Sequence, residues 1–193
     1  MNYLAHCFLS CSEEDLLIGN FIADSIRNRD LAALSEGVRA GVMLHRKIDS
    51  FTDRHPLTRA GTARLHARHG KYAGVIIDIF YDYLLVKNWA RYSAEDLGKW
   101  TQKVYRLLEK RSDDLPPGLR RNVPYMIRDN WLMRYGTEAG LRFTFDRMKV
   151  RVKYPALFAG ATDSLLMNLA AFNRDFNLFF PEVVDFTEGE CGC

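Results

Sequence analysis

The chain has 193 residues, of which 48% are hydrophobic and 26% are charged, and its formal net charge at pH 7 is +3. That length suits one domain with a substantial buried core, and the composition argues against an intrinsically disordered or fibrous chain. No apolar run approaches the ~20 residues that span a bilayer. The first ten residues lack the basic segment of a secretory signal, which favours a cytoplasmic location.

Helical periodicity begins near the N-terminus. Ser12 stands three residues before Asp15, in the spacing of a capping box, and predicts a helix start ahead of the apolar residues within 16–22. Pro56 predicts the end of a preceding helix, because proline is tolerated only in the first turn of a helix. Residues 57–69 are predicted as the next helix, ended by Gly70.

Residues 71–89 form a long run rich in Val, Ile, Phe and Tyr. The run is too long for one strand and its apolar positions do not alternate, so it predicts a buried helix. A second start signal at Ser93 precedes an amphipathic stripe with three- and four-residue spacing. The stripe consists of Leu97, Trp100, Val104, Leu107 and Leu108.

The last third of the chain alternates between loops and helical patterns. Residues 113–118 predict a loop, and helices are predicted over 119–135, 138–152 and 163–180, with Pro155 and Pro181 as stops. Residues 187–193 are predicted to form a flexible tail. Together these patterns predict an all-α fold, a single-domain helical bundle covering residues 1–186.

Candidate metal ligands concentrate in residues 44–53, which read LHRKIDSFTD. His45, Asp49 and Asp53 follow one another at spacings of four, so on a helix they would share one edge. Asp78 and Asp82 repeat this spacing inside the apolar run. An unpaired carboxylate buried there would cost several kcal/mol, so a metal, an arginine or a bound proton must compensate.

Each candidate also has a purely structural alternative. Asp53 precedes Pro56 closely enough to cap the next helix, and Asp49 could form an exposed pair with Arg46. His6, in an apolar segment, could be a hydrogen-bonded core residue, and Asp24 could be a surface residue near a helix end.

Histidine and aspartate together suit Mn²⁺, Fe²⁺, Zn²⁺ or Mg²⁺, and the absence of a thiolate from the candidate set argues against a structural zinc site. Such an ion can polarise a phosphoryl oxygen and lower the pKa of a water molecule. Phosphoester hydrolysis is therefore the predicted class of reaction.

Five motifs span most of the chain: NYLAH at 2–6, GNFIAD at 19–24, LHRKIDSFTDRHP at 44–56, DIFYDYLL at 78–85 with NW at 88–89, and WLMRY at 131–135. In this order they resemble the acyl carrier protein phosphodiesterase family, which is similar to a divergent branch of the all-helical HD-type metal-dependent phosphohydrolases. The resemblance implies removal of phosphopantetheine from holo acyl carrier protein. It also implies a divalent metal, usually Mn²⁺, with Mg²⁺ or Fe²⁺ as alternatives.

Carried over by position, the resemblance implies a metal centre of six residues: His6, Asp24, His45, Asp49, Asp78 and Asp82. The implied catalytic residues are Asp24, His45, Asp49 and Asp78, with no division between ligands and general acid or base. The predicted substrate-binding residues are Arg46, Lys47, Asp53 and Tyr83. Tyr83 departs from the family pattern, which often has histidine there.

The implied partner, acyl carrier protein, is acidic, and residues 27–71 hold ten basic residues against four acidic ones. Such a surface could steer an acidic protein. Nucleic acid is a weaker candidate, because no helix-turn-helix, zinc-finger or RNA-binding signature is present. Two alternatives stay open: hydrolysis of a nucleotide or another small phosphoester, and a non-catalytic helical module that binds the carrier, which Tyr83 favours.

Overall fold

The computed structural model describes residues 1–192, and within this range it contains helices and no strand. The all-α class is therefore confirmed. The α-helices are α1 Tyr3–Phe8, α2 Glu14–Ile22, α3 Glu36–Arg54, α4 Pro56–His69, α5 Ala73–Lys87, α6 Trp89–Tyr92, α7 Leu97–Lys110, α8 Pro117–Arg128, α9 Trp131–Arg134, α10 Glu138–Lys149, α11 Ala161–Met167 and α12 Leu169–Cys191. None of these helices is both long and apolar enough to cross a membrane.

The apolar run predicted as a buried helix forms α5, which lies in the core. Ile76, Phe80 and Leu84 on this helix are fully buried. The Phe80 ring packs edge-on against Phe172 of α12, with ring centroids 5.5 Å apart. Two buried faces on one helix explain why its sequence lacks amphipathic periodicity, since both faces contact apolar neighbours.

The caps of three helices differ from the sequence prediction. The capping box at Ser12 is absent: Ser12 has a positive φ of 59°, and α2 starts after Glu13 without a side-chain cap. Asp96, rather than Ser93, caps α7 by accepting from the Lys99 amide. His55 caps α4, so the capping role considered for Asp53 is wrong.

Two predicted helix ends are also corrected. The helix predicted over 119–135 is broken at Asn130, which adopts the left-handed conformation between α8 and α9. Pro181 does not stop α12, which continues to Cys191. Phe180 and Val183 are fully buried on either side of this proline, and their burial offsets the lost backbone hydrogen bond. Helical structure thus extends past residue 187, where the tail was predicted to begin, and Cys193 lies outside the described residues.

Two glycines let α2 and α3 approach closely. A Cβ atom on Gly19 would lie 2.0 Å from the Val38 carbonyl oxygen, and one on Gly41 would lie 2.4 Å from that of Leu16. No larger residue fits at either position without separating the helices. Gly19 precedes Asn20, and Gly41 lies one helical turn before His45. The close contact of the two helices therefore brings Asn20 and His45 together.

The short helix α1 is held against α5 by Asp82. The backbone N–H groups of Leu4 and Ala5 donate to the two carboxylate oxygens of Asp82, at 2.9 and 3.1 Å. These N–H groups belong to the first turn of α1, where no helical carbonyl can accept from them. Asp82 therefore acts as a buried cap from a distant part of the chain, and it places His6 beside α3.

Candidate active site

His45 lies on α3 in a position fixed by Asn20 of α2. Its Nδ1 atom is 2.9 Å from the Asn20 backbone oxygen and 3.0 Å from the Asn20 side-chain oxygen. The Asn20 amide nitrogen donates to the carbonyl oxygen of His6 at 2.8 Å, which sets the orientation of the amide. Because Nδ1 faces acceptors only, it carries a proton, and Nε2 is the atom directed to the remaining groups of the site.

His6 lies against His45 in the interior. The two imidazole rings are stacked with centroids 3.8 Å apart and an interplanar angle of 14°. Burial lowers the pKa of His6 to about 4, with the neighbouring His45 adding to the effect. The Nδ1 atom of His6 is buried without a hydrogen-bond partner, while its Nε2 lies 3.1 Å from Asp49. His6 is therefore a neutral imidazole that is able to act as a ligand.

Asp49 joins the two histidines. Its Oδ1 lies 3.1 Å from His6 Nε2, and its Oδ2 lies 3.2 Å from His45 Nε2. Burial opposes its charge, but the hydrogen bonds from both imidazoles hold the pKa of Asp49 well below its usual range. Asp24, in the turn after α2, adds a carboxylate oxygen 3.4 Å from His45 Nε2. Although burial again opposes the charge, these two carboxylates raise the pKa of His45 to about 9.

Asp78 reaches the site through the N-terminal amine. The Met1 ammonium lies 3.0 Å from Asp78 Oδ1 and 3.4 Å from Asp49 Oδ1. Burial opposes the ammonium charge, yet Asp78 and Asp49 raise its pKa to about 10. Burial also raises the pKa of Asp78 above its usual value, in spite of the ammonium.

A cavity of about 360 Å³ opens beside these groups. Asp24, Asp49 and Asp78 line one part of it, and α9 and α10 supply much of the remaining wall. The histidines lie in the interior next to Asp49. The cavity thus exposes the carboxylates to a ligand while the imidazoles remain buried.

Asp82 and Tyr83 lie apart from this cluster. Both oxygens of Asp82 accept from α1, and burial raises its pKa to about 7. Tyr83 is buried and lines a different hollow together with Lys87, Asn88 and residues of α11 and α12. The structure therefore gives Asp82 a helix-anchoring position, and it places Tyr83 outside the lining of this cavity.

The other predicted substrate-binding residues also point elsewhere. Arg46 donates to the Asn28 side chain at 2.8 Å and to the Ile26 carbonyl at 3.2 Å, so it clamps the segment after Asp24. Lys47 pairs with Glu190 of α12. Asp53 is exposed at the end of α3 and does not line the cavity. None of these three residues lines the cavity, because Arg46 and Lys47 lie on other faces of α3 than Asp49 and Asp53 lies at the end of the helix.

The residues that meet here suit a divalent cation. Within residues 1–192, His6, His45 and Asp49 are the residues whose ligand atoms all lie within 4.8 Å of one another. Two imidazoles and a carboxylate form a donor set typical of first-row divalent metals. The Asn20 acceptor behind His45 is the feature expected around such a site.

Sequence reasoning missed Asn20. The sequence does contain an indication of its role: Asn20 is a polar residue within the apolar stretch 16–22, where burying an amide without hydrogen-bond partners would cost free energy. Only 1% of its surface is exposed, and it contacts both histidines.

Comparison with known proteins identifies the family of the chain. The family model described as acyl carrier protein phosphodiesterase matches residues 1–183. The chain belongs to the acyl carrier protein phosphodiesterase family. All the residues that form the cluster and the cavity fall within the matched range.

Proteins named acyl carrier protein phosphodiesterase are similar over nearly the whole chain. The one from Serratia proteamaculans is 28% identical over 185 residues, covering 95% of this chain and 96% of the relative. The one from Photorhabdus laumondii is 28% identical over 194 residues, covering 98% and 96%. The one from Escherichia coli O157:H7 is 29% identical over 185 residues, covering 95% and 96%. No solved structure matches the chain.

Proposed function

We propose that the protein hydrolyses the phosphodiester that joins phosphopantetheine to a serine of acyl carrier protein, and so releases the apo carrier. The observation that carries this proposal is the convergence of His6, His45 and Asp49 beside a cavity in a member of the phosphodiesterase family. We further propose that it acts in the cytoplasm, as the sequence predicts.

His6, His45 and Asp49 would hold a divalent cation, with Asp24 and Asp78 at the cavity side. Mn²⁺ is the proposed metal, and Mg²⁺ or Fe²⁺ suit overlapping sets of donors. When bound, such an ion supplies positive charge that stabilises the phosphoryl oxygens of the transition state. Asn20 holds His45 in the tautomer that leaves Nε2 available to it.

Asp78 is proposed to take part in protonating the leaving group, which is the serine oxygen of the carrier. Hydrolysis adds water to phosphorus and breaks the bond from phosphorus to the serine oxygen, which must then take up a proton. Asp78 lies beside the Met1 ammonium, so its carboxylate and that ammonium together form a group that can pass a proton to the serine oxygen. Asp78 lines the cavity, and 31% of its side chain is exposed, so a substrate oxygen can reach it.

Mass spectrometry of holo carrier protein incubated with the enzyme and Mn²⁺ tests the proposal. The carrier should lose the mass of phosphopantetheine, and His45→Ala and Asp49→Ala should abolish that loss. His66→Ala is the matched control, because His66 is exposed on α4 and does not line the cavity.

Two other results would overturn the proposal. An unchanged carrier mass alongside cleavage of a generic phosphodiester would indicate a small-phosphoester hydrolase. Carrier binding with no cleavage of either substrate would indicate a non-catalytic module. Neither alternative gains support from Tyr83, which lies outside the cavity.

The acidic carrier is proposed to approach the basic segment 27–71. Arg64 in this segment is already paired with Asp175, whereas Arg59 and Arg68 are exposed. Replacing Arg59 and Arg68 with Glu should raise KM for the carrier, most strongly at low salt. An unchanged KM at every salt concentration would place the carrier on another face.

A further inference from the structure

The cavity beside the cluster has a basic wall on α9 and α10. Arg134 ends α9, Arg147 lies on α10, and Arg151 follows α10; all three line the cavity that Asp24, Asp49 and Asp78 also line. Here "basic wall" means Arg134, Arg147 and Arg151. The motif WLMRY at 131–135, which the ligand cluster does not use, supplies one of these arginines.

In the described part of the chain the guanidinium groups of Arg147 and Arg151 pair with no carboxylate, and that of Arg134 acts only electrostatically on Asp129, which is itself paired with Arg128. None of them makes an ion pair or a hydrogen bond there. Their neighbours on α10 differ: Arg142 is paired with Asp163 at 3.0 Å, and Lys149 is paired with Asp146 at 2.7 Å. The unpaired arginines of this helix region are thus the ones that line the cavity.

Aromatic rings orient two members of the basic wall. The Arg147 guanidinium lies over the Trp131 ring at 4.9 Å, and that of Arg134 lies over Phe143 at 4.6 Å. Stacking of this kind holds the planar group without using its N–H donors. The donors therefore remain available to a ligand with several anionic oxygens, for which phosphate is the best geometric match.

We propose that the basic wall binds the phosphodiester group of the substrate and that the uncharged pantetheine arm lies along Trp131, Phe143 and Met148. This inference rests on the proposed function. The carboxylates of the cavity repel an anion, and the basic wall adds positive charge to that of the Met1 ammonium, which also lines the cavity. A volume of about 360 Å³ is within the range of sites for small organic ligands.

Equilibrium binding separates this role from catalysis. Titration calorimetry with free phosphopantetheine and with pantetheine, in the presence of Mn²⁺, should show at least about tenfold tighter binding of the phosphorylated form. Arg147→Gln and Arg151→Gln should each remove most of that preference. Arg142→Gln, on the same helix but paired with Asp163, should keep it.

Equal affinity of the wild-type protein for the two ligands would overturn the proposal, as would an unchanged preference in both cavity variants. Arg147 packs on Trp131, so its replacement could disturb α9. Arg151 follows α10, is exposed and stacks on no ring within residues 1–192, so Arg151→Gln tests the proposal without that complication.

Kinetics with holo carrier distinguish failure of the subsite from failure of the function. If the carrier is cleaved and Arg147→Gln and Arg151→Gln leave both kcat and KM unchanged, the subsite is wrong and the function stands. If the carrier is never cleaved but phosphopantetheine binding still depends on these arginines, the function is wrong and the anion subsite stands.

Discussion

The Nδ1 atom of His45 lies between two oxygens of a single residue, the backbone and side-chain oxygens of Asn20, at 2.9 and 3.0 Å. The same Asn20 donates to the carbonyl of His6 at 2.8 Å. One buried residue thus orients the imidazole of His45 and holds the backbone of His6, and the contact exists because Gly19 and Gly41 allow α2 and α3 to touch.

Replacing Asn20 with Ala should weaken divalent-cation binding by roughly 10- to 100-fold, because the ring of His45 loses a hydrogen-bond acceptor that fixes its tautomer. Calorimetric titration with Mn²⁺ measures the effect. Asn168→Ala is the control. Asn168 immediately precedes α12, away from the cluster, and its side-chain amide donates to the backbone carbonyl of Ser164. Equal affinities in the two variants would remove Asn20 from the site.

His6→Ala should abolish cation binding, whereas His69→Ala should lower stability and leave cation binding intact. Both histidines are buried, but His69 is held by the Leu157 carbonyl and the Ser164 hydroxyl and lies in another part of the fold. Metal content after dialysis, read alongside urea denaturation, separates the two effects. Retained metal in His6→Ala would show that α1 supplies no ligand.

The metal-free protein should lose stability between about pH 6.5 and 9. The folded-state pKa of His45 is about 9 against an ordinary 6.5, so its protonation stabilises the fold fully below pH 6.5, and this contribution disappears as the pH rises through 9. The change should amount to about 1–3 kcal/mol. Urea denaturation with a chelator at pH 6 and pH 9.5 measures it, and His45→Gln should show a smaller change. An equal change in His45→Gln would assign the pH dependence to other groups.

Asp82→Ala should destabilise the protein by about 2 kcal/mol or more, because two buried backbone N–H groups lose their acceptor. Amide exchange at Leu4 and Ala5 should accelerate with it. Asp82→Asn should recover part of the stability, since the amide oxygen can accept one of the two hydrogen bonds. If Asp82→Asn instead lost the metal with stability unchanged, Asp82 would be a ligand and not an anchor.

Tyr83→His should leave the rate of carrier cleavage within about twofold of the wild-type rate, because the side chain lies outside the cavity and distant substitutions of this kind have small effects. Steady-state kinetics with holo carrier measures this. A large gain in rate would mean that an imidazole at this position reaches the site.

Much of the fold follows from local patterns. The apolar run of α5, the end of α3 before Pro56 and the end of α4 at Gly70 are visible in sequence, because burial and backbone preference act locally there. The sequence does not predict the break at Asn130 or the continuation of α12 past Pro181. Both depend on which side chains are buried in the folded protein.

The candidate site likewise has contacts that the sequence predicts and contacts that depend on tertiary packing. His45 and Asp49 share a helix edge, so their spacing predicts their contact. The positions of Asp82 and Tyr83 depend on which face of α5 meets α1, and an apolar helix buried on both sides gives no such signal. The roles of Arg46 and Lys47 depend on the distant partners Asn28 and Glu190.

The attachment of α1 to Asp82 makes the position of His6 depend on a helix that is too short to be stable alone. Leu4, Ala5, His6 and Cys7 are buried, so packing and the two hydrogen bonds to Asp82 hold the segment in its attached form. A cation that binds only the attached form should therefore protect the first residues from exopeptidases and slow their amide exchange. The free energy of this local detachment, rather than that of the whole fold, would then limit how tightly the metal is held.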